Sequence, residues 1–508
     1  MKENLVLENS KEREIINYVS EKNALIDSKA VEQLAAEESF REIIDELLQE
    51  NSFLITSEKV NTKLLKKDTK IGRVKEVIIK STRFKAAAKE QEPNYKILHE
   101  YDVTDQSSCE GNVKDFMMLF RDKFEFLSEI LKKRPQFSPK QISKLSRVSK
   151  NSDTEFVGMV YRKWQTKNDH LAIELEDNEA SCIVLILKDD FKLNKLAEHL
   201  LLDDVIGVKA RKIGDELFIA KEIFWPDLPQ RPIKRAERNL SIVGISDLHV
   251  GSKLFLEKEF SNFIEWINGN TDSEKEKERI GRIKYLLICG DNVDGVGVYP
   301  DQFDELAIKD VFEQYDNLAE LMKKIPEYIE VFIIPGQHDA TRRADPQPAI
   351  PKEFRKNLAG YGNIHFLGSP TWVTIEGLKC MLYHGASLHD LYTSVNFLKA
   401  SEPQKAMAEL LKRRDIMITY GLRQPYVPEK KDYMLVREEP DFYFGGDMHH
   451  NGYDQYRGCS IINCGTWQER TEFQIQLGHI PTPGIAVEVD LNTREIREKQ
   501  FYGGRNSK

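Results

Sequence analysis

The hydrophobic rhythm of the chain changes twice. From about Lys11 to about Leu54, apolar residues recur at three-and-four spacing (Ile15, Ile16, Val19; Ile43, Ile44, Leu47, Leu48). That period predicts amphipathic helices and a small helical module over residues 1–55. From about Thr154 to Pro226 the period shortens toward two. "EFVGMVYRKWQ", "HLAIELED" and "ASCIVLIL" precede a helical run, "KLNKLAEHLL", and then come "DVIGVKARKIG" and "ELFIAKEIFW". Three strands, a helix and two strands predict a small barrel over 153–226. The Pro-punctuated "WPDLPQRP" opens a linker over 227–239. From about Leu240 onward, short apolar runs alternate with longer helical stretches, predicting a further domain over 240–508.

The strand order of the barrel is that of an OB fold. Between it and the helical module, residues 56–152 carry two basic stretches, "KLLKKDTKIGRVKEVIIKSTRFK" within Lys59–Lys89 and "KKRPQFSPKQISKLSRVSK" over Lys132–Lys150. Both read as solvated, partly flexible linker, with contact to a phosphate backbone as the sharper alternative.

In the last region five apolar runs stop at the same kinds of residue. "LSIVGISDLHVGSK" ends in Asp247 and His249, and "YLLICGDNVDG" in Asp291, with Asp294 beyond. "EVFIIPGQHDA" ends in Gln337 and His338, and "KCMLYHGAS" in His384. "DFYFGGDMHHNGY" ends in Asp447, His449 and His450. One such ending is ordinarily a polar turn or a capped strand. Five of them predict a shared crevice at one sheet edge, where α/β folds place ligands.

Carboxylates, imidazoles and an amide without thiolate suit Mn²⁺, Fe or Zn²⁺. A carboxylate such as Asp291 can bridge two ions roughly 3.5–4 Å apart, the spacing of two-metal phosphoester sites. The ions would activate a water and neutralise phosphate, and an unliganded imidazole, His338, can protonate a leaving alkoxide.

Bulk properties narrow the setting. With 508 residues, about two to four domains are expected. The 40% hydrophobic and 31% charged residues indicate real cores beneath a well-solvated surface. A formal charge of −9 argues against wholesale polyanion binding without excluding local patches. The six cysteines form no C-x-x-C pair, which predicts free thiols in a reducing cytoplasm. The N-terminal stretch lacks an apolar signal core and no 18-residue apolar run occurs, so a cytoplasmic protein with no membrane partner is expected.

The five motifs in order resemble the calcineurin-like metallophosphoesterases, whose pattern is D-x-H, G-D-x-x-(D/H), G-N-H-(D/E), H and G-H-x-H. "SDLHVGSKLF", "GDNVDGVGVYP", "QHDATRRADPQP" and "NCGTWQERTEFQ…PTPG" further resemble the small subunits of archaeal family D DNA polymerases. The resemblance implies a multidomain α+β protein: helical module, OB β-barrel and a calcineurin-like phosphoesterase domain, a β-sandwich flanked by helices. It implies a 3′→5′ exonuclease that proofreads, with polymerase chemistry in a separate large subunit. The implied partners are that subunit and single-stranded 3′ ends of DNA, and contact with a sliding clamp is left open. Two divalent ions, Mn²⁺ foremost, are implied as cofactors. One would be held by Asp247, His249, Asp291 and His449, the other by Asp291, Gln337, His384 and Asp447, with His338 as the acid.

Two positions depart from the pattern, and both fall on the second ion. Gln337 stands for Asn and adds a methylene; Asp447 stands for the first His of G-H-x-H and substitutes an anion for a neutral donor. An alternative therefore stands beside the nuclease: a catalytically weakened scaffold that docks the large subunit. A stand-alone phosphatase or nucleotidase is disfavoured by the OB domain and the basic stretches.

Overall fold

A computed structural model of the chain describes residues 10–60, except 23, 27, 36–39, 50–53, 56 and 58, and residues 84–503, except 477. Most of the first basic stretch lies outside the described residues. Two units result, 1–83 and 84–508. In the first, helices Ser10–Glu21, Ser28–Ala35 and Phe40–Gln49 bury Ile15, Val19, Leu34, Ile43, Ile44 and Leu47 together. The apolar three-and-four positions are thus one shared core. Strands β1 (Leu25–Ile26) and β2 (Leu54–Ile55) pair in parallel beside them.

In the second unit, β3 (Tyr95–Ile97) precedes the strands β4 (Asp153–Gln165), β5 (Leu171–Glu176), β6 (Ser181–Ile186), β7 (Val205–Lys212) and β8 (Leu217–Phe224). These last five close into a barrel in the order β4-β5-β6-β8-β7, with the helix Phe191–Ala197 between β6 and β7. Alternation along β5 and β6 sends Ile173, Leu175, Cys182, Val184 and Ile186 into its core.

The later runs build two six-stranded sheets. One has the order β12-β11-β10-β9-β18-β19, from β9 (Ser241–Ile245), β10 (Ile283–Cys289), β11 (Glu330–Ile334), β12 (Ile364–Phe366), β18 (Ile485–Asp490) and β19 (Ile496–Gln500). The other runs β16-β17-β15-β14-β13-β3, from β13 (Thr371–Ile375), β14 (Leu378–Leu382), β15 (Phe442–Gly445), β16 (Asn451–Tyr456) and β17 (Cys459–Cys464). Strands β9, β10 and β11 are parallel and buried along their whole length, which is why they read as unbroken apolar runs. Ile242, Leu287, Phe332 and Ile334 of the first sheet share a core with Val373, Leu382, Phe442 and Phe444 of the second. Helices Glu257–Ile267 and Val311–Met322 cover the first sheet's other face, and Leu388–Ser394 and Pro403–Arg413 the second's.

The linker expected over 56–152 is not what residues 84–152 form. β3 adds the sixth strand to the second sheet by pairing with β13. Val113–Lys132 is a 20-residue helix, started by a reciprocal cap between Asn112 and Asp115. Leu119, Lys123, Leu127 and Leu131 line its buried face at four-residue spacing. Lys123 occupies an apolar-stripe position, where its ammonium meets Asp415 at 2.6 Å and donates to the Ile418 carbonyl at 3.2 Å. Phe137 is buried, and Ile142 and Leu145 reach the barrel core, so the second basic stretch is folded too; its Pro, Ser and Lys content masked three anchors. Arg134 lies over the Phe224 ring and Lys132 pairs with Glu129. The connection after the barrel is irregular but pinned, with Leu228 buried and Arg231 on Asp441 at 2.6 Å. All six cysteines are free. No helix among the described residues is long and apolar enough to cross a membrane.

Candidate metal centre

Register brings the five polar endings together. Ile288 of β10 is level with Ile245 of β9 and Ile333 of β11, and all three strands run the same way. Leu382 of β14 is level with Phe444 of parallel β15. Residues just beyond these ends therefore meet at one end of the paired sheets. Asp247, His249, Asp291, Asp447 and His449 all have left-handed backbones, φ between +48° and +65°. Such a conformation costs on the order of 1–3 kcal/mol per residue and persists where surrounding contacts enforce it. It turns the chain sharply at the ends of β9, β10 and β15, where these side chains lie.

The donors form two overlapping groups. His449 Nε2 lies 3.2 Å from Asp247 Oδ1 and 3.1 Å from His249 Nε2, and His249 Nε2 lies 3.8 Å from Asp291 Oδ2. His384 Nε2 lies 3.4 Å from the same Asp291 Oδ2 and 3.6 Å from Asp447 Oδ1. Donors at about 2.0–2.2 Å from a common ion fall roughly 3–4 Å from each other. The sets Asp247–His249–His449 and Asp247–Asp291–His384 each bring three donor atoms close enough for one divalent cation, with Asp447 beside the second through His384. Asp247 Oδ1 and His384 Nε2 are buried without a hydrogen bond, as expected of atoms whose partner is an ion.

The remaining atoms of these groups are tied down. His249 Nδ1 lies 2.9 Å from Asp294 Oδ1, and His384 Nδ1 2.8 Å from the Cys289 carbonyl. Each acceptor requires the hydrogen on Nδ1, which leaves the Nε2 lone pair for a ligand. The Gln474 amide lies 2.8 Å from His449 Nδ1, and Asp447 N donates to Asp247 Oδ2 at 3.0 Å. Asp339 accepts from the backbone amides of Asn292 and Gly336 and from Tyr315 Oη, clamping the two loops that carry Asp291 and Gln337. The trio Gln337-His338-Asp339 thus has a division of labour. Gly336 stands immediately before the trio because a Cβ there would sit 2.2 Å from Asp291 Oδ1.

His338 donates its backbone amide to Asp291 Oδ1 at 2.8 Å, and its Nδ1 faces the Asp294 carbonyl at 2.8 Å. That contact leaves Nε2 as the nitrogen for proton exchange. Burial disfavours charge at Asp291, yet His384, His338 and His249 hold its carboxyl well below the usual range. Burial likewise opposes the His384 imidazolium, and Asp291, Asp247 and Asp447 push it well up regardless. The cluster is dominated by carboxylate charge and seeks cations.

Of the residues singled out in the sequence, Asp247, His249, Asp291, His338, His384, Asp447 and His449 converge. Gln337 is on the adjoining loop, with its Nε2 buried and unpaired. His450 turns to the Asn451 carbonyl at 3.0 Å. Asp294 and Gln474 emerge as supports. His389 was missed: its Nε2 lies 3.0 Å from Asp447 Oδ2. Its signal was a second imidazole just after His384 in "HGASLHD", on a segment that reads as ordinary helix.

The DNA polymerase alpha/epsilon B-subunit family matches residues 242–454. The DNA polymerase II small subunit of Methanocaldococcus jannaschii is 38% identical over 434 residues, covering 85% of this chain and 72% of its own length. That of Archaeoglobus fulgidus is 40% identical over 402 residues, covering 79% and 80%. That of Methanothermobacter thermautotrophicus is 38% identical over 384 residues, covering 75% and 79%.

Proposed function

The chain belongs to the small subunits of archaeal DNA polymerase II, the family D enzymes, and from that premise we propose that it is a metal-dependent 3′→5′ exonuclease serving a large polymerase subunit. The observation that carries the reading is the position of Asp291 Oδ2, which faces His249 Nε2 at 3.8 Å and His384 Nε2 at 3.4 Å, between the donor sets Asp247–His249–His449 and Asp247–Asp291–His384. Two six-stranded sheets with a common core and helices outside support a calcineurin-like phosphoesterase fold, and the closed barrel supports an OB domain.

Asp247, His249, Asp291 and His449 would hold one ion, and Asp291, Gln337, His384 and Asp447 the other. Bound divalent ions supply charge neutralisation for a phosphodiester and a more acidic water. The chain's own residues do the rest. Asp294 orients His249 through Oδ1 and His338 through its carbonyl. His338 Nε2 would deliver a proton to the departing 3′ oxygen. The deciding experiment is Mn²⁺-dependent degradation of a single-stranded 3′ end by this protein with its large partner present. Activity that disappears in Asp291→Asn while partner binding persists supports the nuclease; full activity in that variant removes it.

The scaffold reading has its own support in the unpaired Gln337 Nε2 and in the carboxylate of Asp447, already paired with His389. Absence of wild-type activity, with activity gained in Gln337→Asn/Asp447→His, would favour it.

A further inference from the structure

Asp447 puts an anion where the phosphoesterase pattern has an imidazole, and the structure places another imidazole against it. His389 Nε2 is 3.0 Å from Asp447 Oδ2 as an ion-pair contact, Oδ2 having no formed hydrogen bond, whereas His384 Nε2 faces Oδ1 at 3.6 Å. Both partners are held by their backbones. Asp447 has φ +65° and donates its amide to Asp247. His389 opens the helix Leu388–Ser394 between buried Leu388 and Asp390, whose carboxylate accepts from the backbone amides of Arg423 and Gln424. A carboxylate fixed on one oxygen presents the other in a defined direction, which is what an outer partner does for a metal ligand.

We propose that His389 is the positioning residue of the second metal site: by donating from Nε2 to Asp447 Oδ2 it aims Oδ1 at the cation. Asp447 and His389 then act as a carboxylate–imidazole unit in place of a single histidine. The inference rests on the two-ion reading above. It requires only that Nε2 carries a hydrogen, which either the neutral ring or the imidazolium provides.

The test is Mn²⁺ binding to the full chain by equilibrium dialysis, with electron paramagnetic resonance to detect spin-coupled ion pairs and a thermal melt to monitor folding. Wild type should bind two ions and show coupling. His389→Ala should weaken the second ion about 10- to 100-fold and lose the coupled signal, with the first ion unaffected. His389→Gln keeps an Nε2–H donor at similar reach and should retain most of the affinity. If His389→Ala binds both ions as wild type does, or if His389→Gln is as weak as His389→Ala, the assignment is overturned. Should the alanine variant melt early, the glutamine variant decides alone. A wild type that binds one ion or none overturns the two-ion reading itself and His389's role with it, whereas two ions in wild type and in His389→Ala overturn only the latter.

Discussion

The two halves of the candidate metal centre are built differently although they share Asp291. Around Asp247, His249 and His449, the second atom of each donor meets a buried or neighbouring polar group: Asp294 on His249, Gln474 on His449 and the Asp447 amide on Asp247. Around His384, the histidine's second nitrogen meets the Cys289 carbonyl. Gln337 ends in an unpaired nitrogen, and Asp447 leans on His389 of the helix Leu388–Ser394. Asp447-Met448-His449 repeats Asp247-Leu248-His249, with left-handed backbone at both polar positions and the apolar residue buried. The comparison teaches that the sheet edge gives both Asp-x-His segments the same backbone direction, while the partners that hold their side chains differ.

The severest break removes what the halves share. Asp291→Asn keeps the volume and takes away the charge facing both His249 and His384. Loss of several kcal/mol of transition-state stabilisation corresponds to a drop in nuclease rate on the order of 10³-fold. Mn²⁺ stoichiometry should fall in the same variant. A change confined to one ion would show that Asp291 serves one half alone.

The next largest effect is on stability, and it separates the halves at a distance. Lys123 of the helix Val113–Lys132 meets Asp415 inside the protein. The loop beyond Asp415 reaches Gln424, whose amide donates to Asp345, and Asp345 accepts from Tyr383 beside His384. Lys123→Ala strands the Asp415 carboxylate and should cost about 3–5 kcal/mol, measured by denaturant unfolding. If this loop steadies the second half, Mn²⁺ affinity in the folded protein should weaken for the second ion only.

These structural supports mark the limit of what the sequence revealed. Apolar runs and their polar ends were legible because parallel strands buried on both faces leave continuous signals, and because turns at their ends concentrate Asp and His. The barrel's three strands, helix and two strands were legible for a different reason, the alternation of buried and more exposed positions along antiparallel strands such as β5 and β6. Residues 84–152 were not. Lys123 interrupts the apolar stripe of its helix, and its buried role depends on Asp415, nearly 300 positions later. The three-residue β3 is too short to carry a period and is defined by its partner β13. His389 was illegible because a pair across space has no spacing rule.

A smaller effect tests the first half by itself. Asp294→Ala leaves the donors intact and removes the carboxylate that sets the His249 tautomer. First-ion affinity should fall about 10- to 100-fold, with the second ion little changed. Isothermal titration with Mn²⁺ reads both sites. Equal weakening of the two would mean that the halves are mechanically one.

The smallest expected effect is the most informative about the second half. Gln337 cannot retract to accommodate its extra methylene. Gly336 before it is packed against Asp291, and His338 after it donates its amide to that same carboxylate. The longer side chain must therefore fold back to offer its amide oxygen, and its nitrogen is left without a partner. If Asp447 with His389 already supplies the charge this ion needs, Gln337→Asn should change the exonuclease rate by no more than about threefold, under about 0.7 kcal/mol. The same substitution in an Asp447→Ala background should matter more, because the amide would then be left with the larger share of the ion. A coupling energy within about 0.5–3 kcal/mol between the two positions, from the four-way cycle of rates, is the expected result. Additive effects would mean that Gln337 and Asp447 do not face one ion. In that case the second half is not a site at all, and the resemblance at those two positions is one of sequence order without shared chemistry.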